Sequence, residues 1–412
     1  MRILAVQETD WIDRNPILHH RMLEALSRNG HEVRVVDFEI LWRQRGWRPL
    51  WQRRREMLHA QRFFDDATVT VVRPAMLRIP GLGRPSWLVA NWAELARQFE
   101  TFRPDVVVAY SISNAYLALH LARRYGVPFV YHLLDALHTL VEPPLLRPMA
   151  REVEQRVLRS ADRIIVVNTH LKSYAVELGA DASRLNVIPM GVTIGRDPDV
   201  DGEAIRAALD LSESDFVLLF VGWLYTFSGL RELVVDLDRQ RDRLPNVKLL
   251  VVGDGDLLPE LRRLRGELGL EERLILTGRR PRDEMAGYIA AADLCLLPAH
   301  RNVTMEHIVP AKIIEYMEQG KPVIATRLPG LEAEFGTLPG INYVDTPSQV
   351  LDRVRTLLSG SVNARLTAAQ LGESCLQFMQ RWEDWDTVTA RFEAVLRDAV
   401  LEATGPVLLP EG

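Results

Sequence analysis

Short apolar runs, hardly interrupted by polar residues, recur along this chain and alternate with segments of helical period. Residues 104–109 read Pro-Asp-Val-Val-Val-Ala, and residues 216–222 read Phe-Val-Leu-Leu-Phe-Val-Gly. A strand with one wet face would alternate polar and apolar residues. Runs apolar on both faces belong instead to parallel sheets covered by helices on each side. In the first half, strands are expected at 2–6, 32–37, 104–109, 128–132 and 163–167, with helices at 18–29, 114–125 and 148–159. Gly30 suits the end of the first of these helices. Residues 186–192 close the half, and 193–203, rich in Gly, Pro and Asp, read as a linker. The alternation then restarts, with strands at 216–222, 248–253, 274–278, 294–298 and 322–326. Helices are expected at 229–241, 257–268, 283–291, 311–319 and 347–358, and a long amphipathic one at 378–400. The chain therefore reads as α/β, with two tandem Rossmann-like doubly wound domains over 1–192 and 204–377. Ligands of such sheets bind outside the carboxyl ends of the strands, so two facing domains are expected to share a cleft.

Length agrees, since 412 residues exceed what one hydrophobic core comfortably serves. The net charge of −5 argues against a dedicated nucleic-acid binder. Cys295 and Cys375 stand far apart in sequence and form no metal or redox spacing, which suits a reducing compartment. The opening MRILAVQETDW enters a strand rather than a signal peptide, and no 18-residue apolar run is present. A cytoplasmic location is the expectation.

The segment with the most specific chemistry is Val309-Pro310-Ala311-Lys312-Ile313-Ile314-Glu315-Tyr316-Met317-Glu318-Gln319-Gly320-Lys321-Pro322-Val323-Ile324-Ala325. A helix should start near Pro310 and stop at Gly320, with a strand straight after it. Mid-helix, the Glu315 carboxylate can accept hydrogen bonds from two vicinal ribose hydroxyls, and the free amides of the helix start favour a phosphate. This segment resembles the donor-binding signature of retaining glycosyltransferases of the GT-B fold, family 4. The likeness extends through Val187–Val192, Leu219–Leu224, Leu250–Gly255, Leu276–Gly278 and Asp293–Pro298. It covers most of residues 186–335 in the family's order and is weaker in the first half, at Gly30-His31-Glu32-Val33 and Tyr131–Asp135.

The resemblance implies a GT-B enzyme whose second domain holds a nucleoside-diphosphate sugar and whose last segment, 378–412, crosses back to the first. It places Glu315 on the nucleotide ribose, with Gly222, Trp223, Ser228, Gly229, Gly253, Gly278 and Arg279 around the nucleotide. His307, Ile308, Val309 and Pro310 fall where the family contacts the donor sugar, and Lys312 falls near the phosphates. His132 matches a histidine near the transferred sugar. With Asp135 and His138 it is expected to face the cleft, where an acceptor sugar, free or lipid-linked, would be received. No metal or other cofactor is implied.

Two departures mark this chain. The family's first glutamate should stand at 307, where His307 is found, next to Glu306. The Arg and Lys that usually clamp the diphosphate after the Val-Gly strand are replaced by Trp223 and Ser228. Lys312, Arg279 and Arg231 are the available substitute cations. A GT-B protein that binds its ligand without transfer, or an epimerase or phosphorylase, therefore stays open beside the transferase.

Two further signals lie outside that pattern. Asp254-Gly255-Asp256 imitates a metal-binding Asp-x-Asp, but it directly follows the Val-Val-Gly strand, where a tight turn is expected. Residues 42–64 hold seven arginines against one glutamate, interleaved with Trp42, Trp47, Trp51, Phe63 and Phe64. That pattern suits peripheral contact with an anionic membrane, or equally a solvated helix whose tryptophans pack on the domain.

Overall fold

The computed structural model describes residues 1–412 except 14–15, 40–48, 142–143, 194–200, 303–304, 307, 361–362 and 405–412. The chain forms two compact units, Met1–Met190 with the segment from Asp386 onward, and Gly191–Trp385.

The first unit opens with β1 (Arg2–Val6), α1 (Leu18–Arg28), β2 (Glu32–Val36), β3 (Trp51–Gln52), β4 (Arg55–Met57), β5 (Val69–Arg73) and β6 (Met76–Leu77). It continues through α2 (Gly83–Thr101), β7 (Val106–Ala109), α3 (Ser113–Tyr125), β8 (Phe129–Leu133), α4 (Arg147–Ser160), β9 (Arg163–Val166), α5 (Thr169–Glu177) and β10 (Leu185–Val187). Its main sheet runs β10-β9-β8-β7-β1-β2-β5-β4, parallel except for β4 against β5, while β3 and β6 form a separate antiparallel ribbon. All four residues of β7 and all five of β8 are buried, as a sheet covered on both faces requires.

The second unit holds α6 (Gly202–Ala208), β11 (Phe216–Val221), α7 (Leu230–Arg239), β12 (Val247–Val252), α8 (Leu258–Glu267), β13 (Leu274–Gly278), α9 (Met285–Ala291) and β14 (Leu294–Leu297). Then follow α10 (Ala311–Glu318), β15 (Val323–Thr326), α11 (Pro329–Phe335), β16 (Ile341–Val344), α12 (Val350–Ser359) and α13 (Ala364–Met379). The sheet order is β13-β12-β11-β14-β15-β16, parallel throughout. On α7, Leu230, Leu233, Val234 and Leu237 are buried, the i, i+3, i+4, i+7 stripe that seats a helix on a sheet.

In both sheets the first strand is flanked by strands that come later from opposite directions: β1 by β2 and β7, β11 by β12 and β14. These are the topological switch points, where connections leave to opposite sides and a crevice opens at the carboxyl ends.

Three sequence expectations change. The helix expected over 378–400 is two helices, α13 and α14 (Trp385–Thr404). Between them the Glu383 carbonyl accepts the Val192 N–H (3.1 Å) and Asp384 pairs with Val192, which takes those groups out of a helical ladder. α14 joins the first unit, where Phe392 lies 5.3 Å from the His132 ring and Thr389 meets Met22. The expected linker ends early, because Asp201 caps α6 by accepting the Ala204 N–H (3.0 Å); residues 194–200 lie outside the described residues. The described part of 42–64 holds the short strands β3 and β4 rather than a helix, and Trp42 and Trp47 lie outside it.

Candidate functional site

The second sheet builds its site from the divergence of β11 and β14. They pair only at Leu218–Leu294 and Leu219–Cys295, whereas β11 stays paired with β12 through Val221. The Val221 N–H instead donates to the Tyr316 hydroxyl of α10 (2.8 Å). That bond, with Ile313, Ile314 and Met317 buried on the same helix, docks α10 beside the strand end. Lys312 and Glu315, three residues apart, then share the opposite, half-buried face. Lys312 Nζ rests against Gly222, where a Cβ would stand 3.0 Å away, and 3.8 Å from the centre of the Phe220 ring. Burial pushes this ammonium down to about 7, with Glu315 opposing the shift.

Glu315 is not packed into the interior, since 38% of its side chain is exposed and Arg282 stands 4.0 Å away. Burial raises its carboxyl, against the pull of Arg282 and Lys312. Gln319 ends the helix and Gly320 follows at φ 64°; at the other end Pro310 is the cap, one residue before the first turn. Ile308, Val309 and Pro310 are half-buried and lead straight into α10, while His307 lies outside the described residues.

The loops after β11 and β14 are knitted together. The His300 N–H donates to the Phe227 carbonyl (2.8 Å), and any Cβ at Gly229 (φ 72°) would overlap the Pro298 carbonyl oxygen. Only glycine fits there. Gly229 is also the cap residue of α7 and brings no side chain to its first amides. Beside it, Ser228 is 4% exposed and its hydroxyl has no hydrogen-bond partner among the described residues. A buried unpartnered hydroxyl thus lies next to helix amides that no side chain caps, donors of the kind that suit an anion. Gly253 closes the floor, because a Cβ there would overlap the Gly222 carbonyl oxygen. Gly278 ends β13, and Arg279 follows it, exposed. Arg231 is engaged elsewhere, 2.7 Å from Glu260 of α8.

Asp254 and Asp256 are exposed; Asp254 accepts the Gly255 N–H (2.8 Å), and the turn that follows is closed by the Leu258 N–H on the Gly255 carbonyl (3.1 Å). Glu332 pairs with Arg327 (2.5 Å), and burial raises the half-buried Glu334 carboxyl.

In the first unit, His132 differs from its expected outward placement. It is 1% exposed on β8, between the rings of Tyr110 (5.2 Å) and Phe392 (5.3 Å), and neither ring nitrogen has a partner among the described residues. Burial lowers it to about 3, so the imidazole is neutral at physiological pH. Asp135 is half-buried, and His138 turns away to the buried Glu154 carboxylate (2.8 Å) and the Tyr174 hydroxyl (2.7 Å). Sequence reasoning missed the company His132 keeps. Gln7 Oε1, the Tyr110 hydroxyl and Ser111 Oγ, at the carboxyl ends of β1 and β7, are also buried without a partner among the described residues. They surround the first sheet's switch point, and only strand order brings them together.

Residues 42–64 divide. The Phe63 and Phe64 amides donate to Glu24 (2.8 and 3.0 Å) and Arg28 covers the Phe64 ring, while Leu50 (66%), Trp51 (53%) and Leu58 (67%) stay exposed. Among the described residues no helix is long and apolar enough to cross a membrane.

Comparison with known proteins follows the same division. Residues 19–191 match the glycosyl transferase 4-like domain, and residues 215–359 match the glycosyl transferases group 1 domain. The D-inositol 3-phosphate glycosyltransferase of Segniliparus rotundus is 30% identical over 339 residues, 77% of this chain and 73% of that one. The 2-deoxystreptamine glucosyltransferase of Streptomyces kanamyceticus is 26% identical, over 82% of this chain and 87% of its own. Among solved structures, Anabaena HepE in complex with UDP and glucose superposes with a TM-score of 0.73 at 18% identity, covering 96% of this chain and 99% of that one. On these matches the chain belongs to the group 1, glycosyl transferase 4-like family of glycosyltransferases and has the GT-B fold.

Proposed function

We propose that this enzyme moves a sugar from a nucleoside-diphosphate donor to a hydroxyl of a ring-shaped polyol, with retention of anomeric configuration and without a metal. The observation that carries the reading is the shared face of Lys312 and Glu315, held at the second sheet's switch point by the Tyr316–Val221 hydrogen bond. In this reading Glu315 accepts both ribose hydroxyls, while the Ser228 hydroxyl, the first amides of α7 and Lys312 meet the diphosphate. The leaving group gains charge on phosphate oxygen, and fixed donors aimed there lower the barrier without reorganising. The acceptor is received at the carboxyl edge of the first sheet, beside the half-buried Asp135. Relatives named for inositol phosphate and 2-deoxystreptamine support a hydroxylated six-membered ring as acceptor. We place the enzyme in the cytoplasm, against an anionic membrane through Leu50, Trp51, Arg53, Arg55 and Leu58, all exposed, where lipid-borne acceptors are met.

The test is a thermal-shift screen of UDP, ADP, GDP and their glucose conjugates, on the wild type and on Glu315→Ala. Stabilisation lost in the variant, with its unliganded melting unchanged, supports the site; equal stabilisation of both refutes it. Proton NMR of the product anomer decides retention. Co-sedimentation indifferent to vesicle charge removes the membrane contact. The uncharged Trp223 and Ser228 favour one competing reading, a binder without transfer. Single-turnover release of nucleoside diphosphate in the presence of acceptor excludes it.

A further inference from the structure

Trp223 and Tyr225 each keep 41% of their surface in solvent, yet the backbone that carries them is anchored on both sides. Leu224, between them, is fully buried; its N–H donates to the Asp254 carbonyl (2.9 Å) and its carbonyl accepts the Leu257 N–H (3.0 Å). The Tyr225 carbonyl accepts the Ser228 N–H (3.0 Å), and Phe227 is tied to His300. The Tyr225 ring lies flat on Phe227, with centroids 4.8 Å apart and planes 8° apart, and the Trp223 ring is 6.4 Å from Tyr225. The loop therefore points out at 223, in at 224 and out at 225. The backbone and the Tyr225 ring are held before any ligand arrives, with Trp223 tilted 55° to Tyr225, so the ordering cost on binding falls mainly on one side chain.

Trp223 directly follows Gly222, against which the Lys312 ammonium rests, where the resemblance leads one to look for a cation. An indole or phenol face carries negative potential and a broad apolar surface. Its complement is a ring with a face of polarised C–H bonds and a rim of hydroxyls. We propose that Trp223 and Tyr225 form a ring-stacking subsite for the C–H face of a hexose or cyclitol, beside the diphosphate position. The inference rests on the donor reading above. The same chemistry has two sources, the sugar of the donor and the acceptor ring.

Calorimetric affinities of wild type, Trp223→Ala, Tyr225→Ala and Trp223→Phe test it, with UDP, UDP-glucose, and glucose or myo-inositol added to UDP-saturated protein. Both alanine variants should lose at least tenfold more affinity for the sugar-bearing probes than for UDP, and melt as the wild type does. Trp223→Phe should recover most of the loss. A loss confined to UDP-glucose puts the donor sugar on the platform; one confined to glucose or myo-inositol puts the acceptor ring there. Unchanged sugar affinities, or UDP falling in parallel, overturn the subsite while the donor reading stands. If the wild type binds none of the nucleotides, both readings fall together.

Discussion

The ammonium of Lys312 stands 3.8 Å from the centre of the Phe220 ring, with the backbone of Gly222 on another side. A cation in that place is attracted by the ring but has lost most of its water, and desolvation is the larger effect.

Donor affinity should therefore depend on pH. With the ammonium near 7 in the free protein, an arriving diphosphate raises it and takes up a proton. Binding is then strongest below about pH 7 and weakens up to about tenfold per unit above it. The same lowering makes the unliganded fold more stable as pH rises from 7 towards 10.5, because there the unfolded chain binds the extra proton. UDP affinity measured from pH 6 to 9 should show the slope, and Lys312→Met should flatten it.

Glu315 is half-exposed and only loosely paired, so its loss should spare the fold. Glu315→Gln should lower nucleoside-diphosphate affinity by about 1.5–3 kcal/mol, the usual worth of hydrogen bonds to a charged group. The expected change is roughly 10- to 150-fold in Kd, with melting unchanged.

His132 bears on acid stability. Its proton affinity in the fold, near 3, lies below the ordinary 6.5. Its contribution is complete above pH 6.5 and is lost between 6.5 and about 3, as the unfolded imidazole takes the proton. The loss runs at about 1.4 kcal/mol per pH unit. His132→Phe should hold its stability at neutral pH and unfold later in acid, as thermal melts from pH 7 to 4 would show.

Gly229→Ala should cost about 1–3 kcal/mol, because the new methyl overlaps the Pro298 carbonyl and the left-handed backbone disfavours it. Thermal unfolding should show a lower midpoint for the second unit, and UDP binding should weaken with it.

What the sequence disclosed and what it hid divide by range. Strand β11 and helix α10 were legible because their signals are local: an unbroken apolar run, then Pro310 and Gly320 bracketing a helical stripe. The break between α13 and α14 was hidden because residues 380–384 contain no proline or glycine; Val192, remote in sequence, interrupts the helix there. The surroundings of His132 come from positions 110 and 392, which no window joins. Strands of two and three residues at 51–57 leave no period to read. At the site, Glu315 could be named from its place within the helix, and Lys312 from the family resemblance. The tether that positions them, Tyr316 to Val221, depends on where β14 parts from β11.

The first unit is completed by α14: Phe392 covers His132, Glu393 holds Asn29 and His31, and Glu402 meets Arg163. A ribosome making this protein emits those residues only after the whole second unit has emerged. The nascent N-terminal half must therefore wait, its contacts with α14 unmade, while nearly two hundred further residues are translated. Any premature stop before position 386 leaves those contacts unmade for good, and the truncated product becomes a natural client for chaperones and proteases.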